Sequence, residues 1–162
     1  MSTAREGTTA KEAIRQTKPF RSTGQEAVIT LLLTAETVRW ALHAELSGRG
    51  DLTAQQYNVM RILRGAGRKG LPTLEIAERM IERTPGVTRL LDRIERQGWV
   101  ARDRSTEDRR QVICRITSEG LALLRALDSP IDTLDERMVR SLSAAERRTL
   151  IRLLNKVRND AP

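Results

Sequence analysis

The sequence predicts a mainly α-helical fold with a small β wing, and three patterns indicate it. Apolar residues recur every three or four positions along most of the chain, as in amphipathic helices. Near the middle, two predicted helices are joined by a short turn at residues 81–83. Two segments typical of strands follow, at 99–102 and 110–116, around a polar tip at 103–109. Together these patterns predict a winged helix-turn-helix with further helices on both sides.

The second helix of the turn motif is expected to run from a cap at Thr84 to about Gln97. Pro85 suits the first helical position, where no N–H group is needed, and Gly98 suits a left-handed end. The stripe predicted to face the core comprises Val87, Leu90, Leu91 and Ile94. The outward face then comprises Pro85, Thr88, Arg89, Asp92, Arg93 and Arg96.

The first helix of the motif is predicted from Leu74 to Met80, with Thr73 as its capping residue. A short strand at 71–72 is expected to close against the wing, and a flexible basic loop at 65–70 precedes it. The inward side chains of the first helix are predicted to be Leu74, Ile76, Ala77 and Met80.

Four more helical stretches surround this module. A long amphipathic helix is predicted over 25–46, and a capping box at Thr53 and Gln56 begins another that ends near residue 65. Its inward residues are predicted to be Tyr57, Met60 and Leu63. A long helix should begin at 117 or 118 and bend at Pro130. A second capping box, at 143–146, begins the last helix, which ends near 158.

Five segments of the chain carry a resemblance to the MarR family of bacterial transcription regulators. They occur in the family's order and spacing and span roughly residues 25–158. The segments are LTAQQY (52–57), EIAER (75–79), TPGVTRLLDRIERQG (84–98), EDRR (107–110) and ITSEG (116–120).

The resemblance implies a homodimeric regulator, most simply a repressor, that binds a pseudo-palindromic operator in double-stranded DNA. The helix that begins at Thr84 would enter the major groove, while Arg110, oriented by Asp108, would enter the minor groove. It also implies that terminal helices interlock between subunits. Little apolar content at residues 1–23 predicts a flexible tail, and we expect the rest of one integrated domain to comprise an N-terminal dimerisation helix (24–51), the DNA-binding module (52–117) and C-terminal dimerisation helices (118–162).

Composition agrees with a polyanionic partner. The chain has 29 basic and 21 acidic residues, which gives a net charge of +8. Most basic residues are arginines, which suit planar contacts to phosphate and guanine. The excess lies mainly in residues 1–21 and 68–116. With 162 residues the chain is long enough for one domain with a real core, and too short for two independent ones.

Individual roles follow from the outward face. Arg89 is the first candidate for a contact to a base or an adjacent phosphate, with Thr88 and Pro85 next, while Arg93 and Arg96 should meet phosphates. Asp92 is expected to hold an arginine in place, because phosphate repels a carboxylate. At the wing Arg104, Arg109 and Arg110 can reach a minor groove, and composition alone ranks Arg109 equal to Arg110. Further phosphate candidates are Thr73, Gln55 and Arg83.

The resemblance also implies a site for a small aromatic or anionic effector, lined by residues such as Trp40, His43, Tyr57 and Met60. A core or interface role for Trp40 and Tyr57 is the alternative. Cys114 is expected to fill core space instead of acting as a sensor thiol. His43, without a second metal-type ligand at suitable spacing, is expected to be a structural or surface histidine.

The sequence offers no nucleophile with a base, metal cluster or phosphate-binding glycine loop, so we expect neither enzymatic activity nor a cofactor or metal. The single cysteine and the polar N-terminus predict a cytoplasmic protein. Two alternative functions stay open at this point. One is a sequence-neutral architectural DNA binder, and the other is a winged-helix adaptor for protein interactions.

Overall fold

The computed structural model describes residues 8–48, 52–81, 86–105, 108 and 110–160. Helices dominate these residues, with three short strands among them. Two compact units are present, residues 1–41 and 42–162. The helices are α1 (Ala10–Ala13), α2 (Thr23–Ser47), α3 (Ala54–Ala66), α4 (Thr73–Arg79), α5 (Val87–Arg96), α6 (Ser118–Met138) and α7 (Ala144–Asn159), and the strands are β1 (Leu71–Pro72), β2 (Val100–Arg104) and β3 (Val112–Ile116).

The first unit contains α1 and most of α2. A capping box begins α1, because Thr9 accepts from the backbone of Glu12 while the Glu12 carboxylate accepts the Thr9 N–H at 2.8 Å. Along α2, the hydroxyl groups of Thr34 and Thr37 donate to carbonyls one turn earlier. The long helix predicted over 25–46 is confirmed and is slightly longer at both ends.

In the second unit, α3 contributes to two apolar clusters at once. Its predicted capping box is confirmed, since Gln56 Oε1 accepts the Thr53 N–H at 2.9 Å. Val59 and Leu63 pack into one cluster, whereas Tyr57 and Met60 pack into the other. The inward positions predicted for α3 are therefore confirmed, and this helix is shared by both parts of the core.

The first cluster, the module core, joins α3, α4, α5 and the sheet. The second cluster joins α3 to the end of α2 and to α6, through Leu46, Leu124 and Leu127. Trp99 and Ile116 are partly buried against both clusters. The buried members of the module core are Val59, Leu63, Leu71, Ile76, Met80, Val87, Leu90, Leu91, Ile94, Val100 and Cys114.

The sheet has the strand order β1-β3-β2 and is antiparallel throughout. Leu71 pairs with Cys114, so the strand predicted to close against the wing is confirmed. The flexible loop predicted at 65–70 is wrong, because α3 continues to Ala66 and a 3₁₀ turn covers Gly67–Lys69. Gly70 has a φ of +66°, and a Cβ atom there would lie 2.3 Å from the Cys114 carbonyl oxygen.

Two predictions for α4 are wrong. Leu74 is 72% exposed, although Ile76 and Met80 are buried as expected. Residues two apart on a helix lie on opposite sides, so Leu74 and Ile76 cannot both face the core. Thr73 is not the cap but the first helical residue, since Pro72 takes the position before the helix.

The two C-terminal helices begin as predicted. The Thr117 hydroxyl accepts the Gly120 N–H at 3.0 Å at the start of α6, and Ser143 forms a capping box with Glu146 at the start of α7. Pro130 lies inside α6. None of the described helices is long and apolar enough to cross a membrane. The apolar side of α7 is exposed, at Leu150, Ile151, Leu153, Leu154 and Val157.

Two helical glycines provide a test of this packing, because an alanine should destabilise the protein at one position and stabilise it at the other. A Cβ atom on Gly120 would lie 2.3 Å from the Trp99 carbonyl oxygen, whereas one on Gly65 meets no atom within 4 Å. Gly120→Ala should destabilise the protein by about 1–3 kcal/mol through overpacking. Gly65→Ala should stabilise it by about 0.5–1 kcal/mol through helix propensity. Urea unfolding at equal protein concentration measures both, and changes of the same sign would contradict the packing.

Candidate nucleic-acid interface

Helix α5 separates an apolar side from a basic side. The predicted core stripe is confirmed, with Leu91 and Ile94 fully buried and Val87 and Leu90 at most 8% exposed. On the other side every described arginine of the helix is exposed. The exposed polar residues, here called the arginine face, are Thr88, Arg89, Arg93 and Arg96.

The start of α5 differs from the prediction. The helix begins at Val87, and Gly86, its N-terminal cap residue, has a φ of +105° and a ψ of 29°. This left-handed conformation is not helical, so Gly86 cannot be the second residue of a helix that begins at Pro85. Thr84 and Pro85 themselves lie outside the described residues, as does Arg83.

The end of α5 is tied to two neighbouring elements. Gly98 has a φ of +75°, which confirms the predicted left-handed end. The Trp99 N–H donates to the Ile94 carbonyl at 3.0 Å and the Gly98 N–H to the Glu95 carbonyl at 2.8 Å, a Schellman arrangement. Thr117 then donates its hydroxyl to the Gly98 carbonyl at 2.7 Å and its N–H to the Trp99 carbonyl at 3.0 Å. One threonine therefore connects the end of α5, the start of β2 and the start of α6.

The wing tip is held by Asp108. Its Oδ1 accepts the Arg110 N–H at 3.0 Å and the Arg110 Nε–H at 3.2 Å, while the Gln111 side chain donates to Oδ2. These hydrogen bonds, with those from Arg110 first, lower the pKa of the Asp108 carboxyl. The Arg110 side chain is 92% exposed, so its guanidinium is oriented yet free to meet a ligand. Arg104 is exposed at the end of β2, and Arg109 lies outside the described residues.

Sequence reasoning missed one arginine of this region. Arg102 lies on β2 with its side chain only 22% exposed, and its Nη2 is 2.7 Å from Asp92 Oδ1. It also donates through Nε and Nη2 to Glu95 Oε2. The expectation that Asp92 holds an arginine in place is thus met, but the partner is on the neighbouring strand. Hydrogen bonds to Glu95 raise the pKa of Arg102 above its ordinary value.

The other candidate residues fall in different surroundings. Thr73 is half-buried, with its hydroxyl 3.8 Å from the Cys114 sulfur. Cys114 is fully buried in the module core, as expected for a core filler, and burial raises the pKa of its thiol. Among the described residues, acidic, histidine and cysteine side chains form no group of three that could hold a metal.

Of the four residues predicted to line an effector site, two are buried and two are exposed. Tyr57 is 4% exposed and Met60 is fully buried, both in the second cluster. Trp40 is 65% exposed, and His43 is exposed with the Ser47 hydroxyl 3.5 Å from its Nε2. The Arg61 guanidinium lies 5.7 Å from the centre of the Tyr57 ring.

Fold and site together define a winged helix-turn-helix protein with a basic, exposed helix face. Residues 52–112 match the MarR family. The transcriptional regulator HosA of Escherichia coli O157:H7 is 31% identical over 128 residues, which cover 79% of this chain and 90% of the relative.

Solved structures agree. A MarR transcription factor from Planctomyces limnophilus is 39% identical, covers 85% of this chain and 98% of its own, and has a TM-score of 0.65. A MarR mutant from E. coli in complex with operator DNA is 28% identical, covers 78% of this chain and 89% of its own, and has a TM-score of 0.71. The chain belongs to the MarR family of DNA-binding transcription regulators.

The wing-tip contacts generate a test that requires no DNA. The ordinary pKa of an aspartate is 3.8, and that of Asp108 is lowered. A carboxyl group whose pKa is lowered in the folded protein contributes stability that is fully present at a pH above its ordinary pKa. This stability is lost as the pH falls through the pKa of the folded protein. In NMR spectra the Arg110 amide resonance should therefore titrate with a midpoint below 3.8. Asp108→Asn should abolish this titration, while resonances of α3 report that the fold persists. A midpoint at or above the ordinary aspartate pKa would refute the contacts.

Proposed function

We propose that the chain is a homodimeric, sequence-specific repressor that binds a pseudo-palindromic operator in duplex DNA. The carrying observation is the arginine face of α5, which is exposed opposite a buried apolar stripe. A helix that is packed on one side and exposes guanidinium groups on the other suits major-groove binding. The E. coli relative that was solved with operator DNA supports it. We call α5 the recognition helix from here on.

The residue roles follow from position and chemistry. Arg89, near the start of the recognition helix, makes the bidentate base contact with guanine, and Thr88 contacts a thymine methyl group. Arg93 and Arg96 neutralise phosphates further along. In the minor groove Arg110 is the principal group, oriented by Asp108. The additional DNA contacts in this proposal are Pro85, Arg83, Thr73, Arg104 and Arg109.

The second subunit of the proposed dimer is a second copy of this chain. A subunit interface can bury apolar side chains that are exposed on two helices. They include Leu150 and Leu154 on α7, and Val28 and Leu32 on α2. Residues 24–51 and 118–162 are the dimerisation segments in this proposal, and 52–117 the DNA-binding module. A regulator of this class works where the chromosome lies, so a cytoplasmic location is part of the proposal.

Relief of binding by a small aromatic or anionic molecule completes the proposal. Trp40, His43, Tyr57 and Met60 remain its candidate contacts. Arg61 places a cation 5.7 Å from the centre of the Tyr57 ring, which suits an aromatic or anionic molecule. An effector that binds the form with low DNA affinity better shifts the population toward that form.

Two substitutions separate base recognition from charge. Arg89→Ala should weaken operator binding by about tenfold to a hundredfold and random DNA much less, because it removes a base contact. Arg110→Ala should weaken both and lower the salt slope by about one, because its charge meets the negative potential of the minor groove in either DNA. Binding to both DNAs across a salt series measures these effects.

The matched control is Arg125→Ala, which removes an exposed arginine from α6, outside the proposed DNA contacts. It should leave the salt slope as in the unmodified chain. An unchanged slope for Arg110→Ala would contradict the wing assignment. Equal losses on operator and random DNA for Arg89→Ala would favour sequence-neutral binding.

A further inference from the structure

The recognition helix carries two carboxylates beside its arginines. Asp92 and Glu95 are partly exposed, at 43% and 36% of their side chains. An unpaired carboxylate on a helix that enters a DNA groove would face phosphates and repel them. Both are paired with the same residue, Arg102, on β2. The positive charge of Arg102 is therefore used within the protein, where it cancels part of the repulsion.

The same contacts constrain how the recognition helix lies on the sheet. Its apolar stripe presses one side of the helix into the module core, but apolar packing has no preferred direction. A guanidinium group is a planar fork that binds carboxylates in a fixed geometry. Asp92 and Glu95 are three residues apart and so lie close together on the helix surface. Pairing both with one strand residue adds a directional restraint on the rotation of the helix about its own axis.

The position of Arg102 on β2 extends this constraint to the wing. Arg102 pairs in register with Cys114 of β3, whose sulfur is fully buried in the module core. Two residues further along β2, Arg104 pairs with Val112 in the last register pair before the wing tip. The strand that anchors the carboxylates is thus the first strand of the wing.

We propose that Arg102 is a positioning residue for sequence-specific DNA binding, which holds Asp92 and Glu95 against β2 and so fixes the recognition helix relative to the wing. Arg102 itself contacts no DNA. This inference rests on the proposed function and names a residue on which operator preference depends. Losing Arg102 has two separable effects, a freed negative charge and a loosened helix.

Three variants separate these effects. Arg102→Met replaces the guanidinium by an apolar chain and leaves both carboxylates unpaired. Arg102→Lys keeps the charge but offers one ammonium group instead of a fork. Arg102→Met combined with Asp92→Asn and Glu95→Gln removes the freed charges but does not restore the ion pairs. For each, circular dichroism and thermal unfolding report the fold, and binding to operator and random DNA is measured at one salt concentration.

Arg102→Met should lower operator affinity about tenfold or more and random DNA affinity less. The triple variant should recover random DNA binding, because the repulsion is gone, but not operator preference. Arg102→Lys should retain random DNA binding and lose part of the preference. Hydrogen exchange of the free protein should show faster exchange of recognition-helix amides in all three variants.

One result would overturn the inference: the variants fold and melt at a lower temperature, but their ratio of operator affinity to random DNA affinity equals that of the unmodified chain. Arg102 would then only stabilise the fold. The unmodified chain is the reference that separates this failure from that of the proposed function. If it shows no operator preference, the proposed function fails, and unchanged hydrogen exchange in the variants overturns the positioning role independently of DNA.

Discussion

The burial of one side of the recognition helix is the constraint on which the rest of the structure depends. Leu91 and Ile94 are fully buried in the module core, and the remaining stripe residues are nearly so. A helix that commits this side to the core must direct its other side to solvent. In this chain the other side consists largely of arginines. Stability and the proposed DNA recognition therefore depend on the same ten residues, Val87–Arg96.

A second constraint lies where the recognition helix ends. The Trp99 carbonyl accepts the Thr117 N–H, and Gly120 approaches that carbonyl so closely that a side chain has no room. Trp99 and Ile116 pack against both apolar clusters of the second unit. The end of the recognition helix, the first wing strand and the start of α6 are consequently held at one junction. Any shift of α6 must be accommodated there, which gives α6 a physical connection to the recognition helix and the sheet.

The parts of the fold that could be predicted from sequence are those encoded by local pattern. The apolar stripe of the recognition helix, the left-handed Gly98 and the capping boxes at Thr53 and Ser143 each depend on residues within one or two turns. Gly86 shows the limit of such reasoning. A Thr-Pro pair predicts a helix start strongly, but the next residue, a glycine, adopts a conformation that postpones it.

Contacts between elements that are distant in sequence could not be predicted from local sequence patterns. Nothing in the sequence distinguishes Arg102, which is partly buried beside two carboxylates, from exposed Arg104 two residues later. The error at Leu74 has a different cause, because helix geometry alone excludes that both Leu74 and Ile76 face the core. The orientation of Arg110 by Asp108, in contrast, spans two residues and was implied by the family resemblance.

Selection of bound DNA from a random pool tests the central claim most directly. A recognition helix presented twice by a symmetric dimer should enrich an inverted repeat whose half-sites lie about 10 base pairs apart, one turn of the double helix. The enriched sequences should contain guanine at the position that Arg89 contacts, and Arg89→Ala should lose that preference alone. Enrichment of no common sequence, or of a single unrepeated site, would contradict the account.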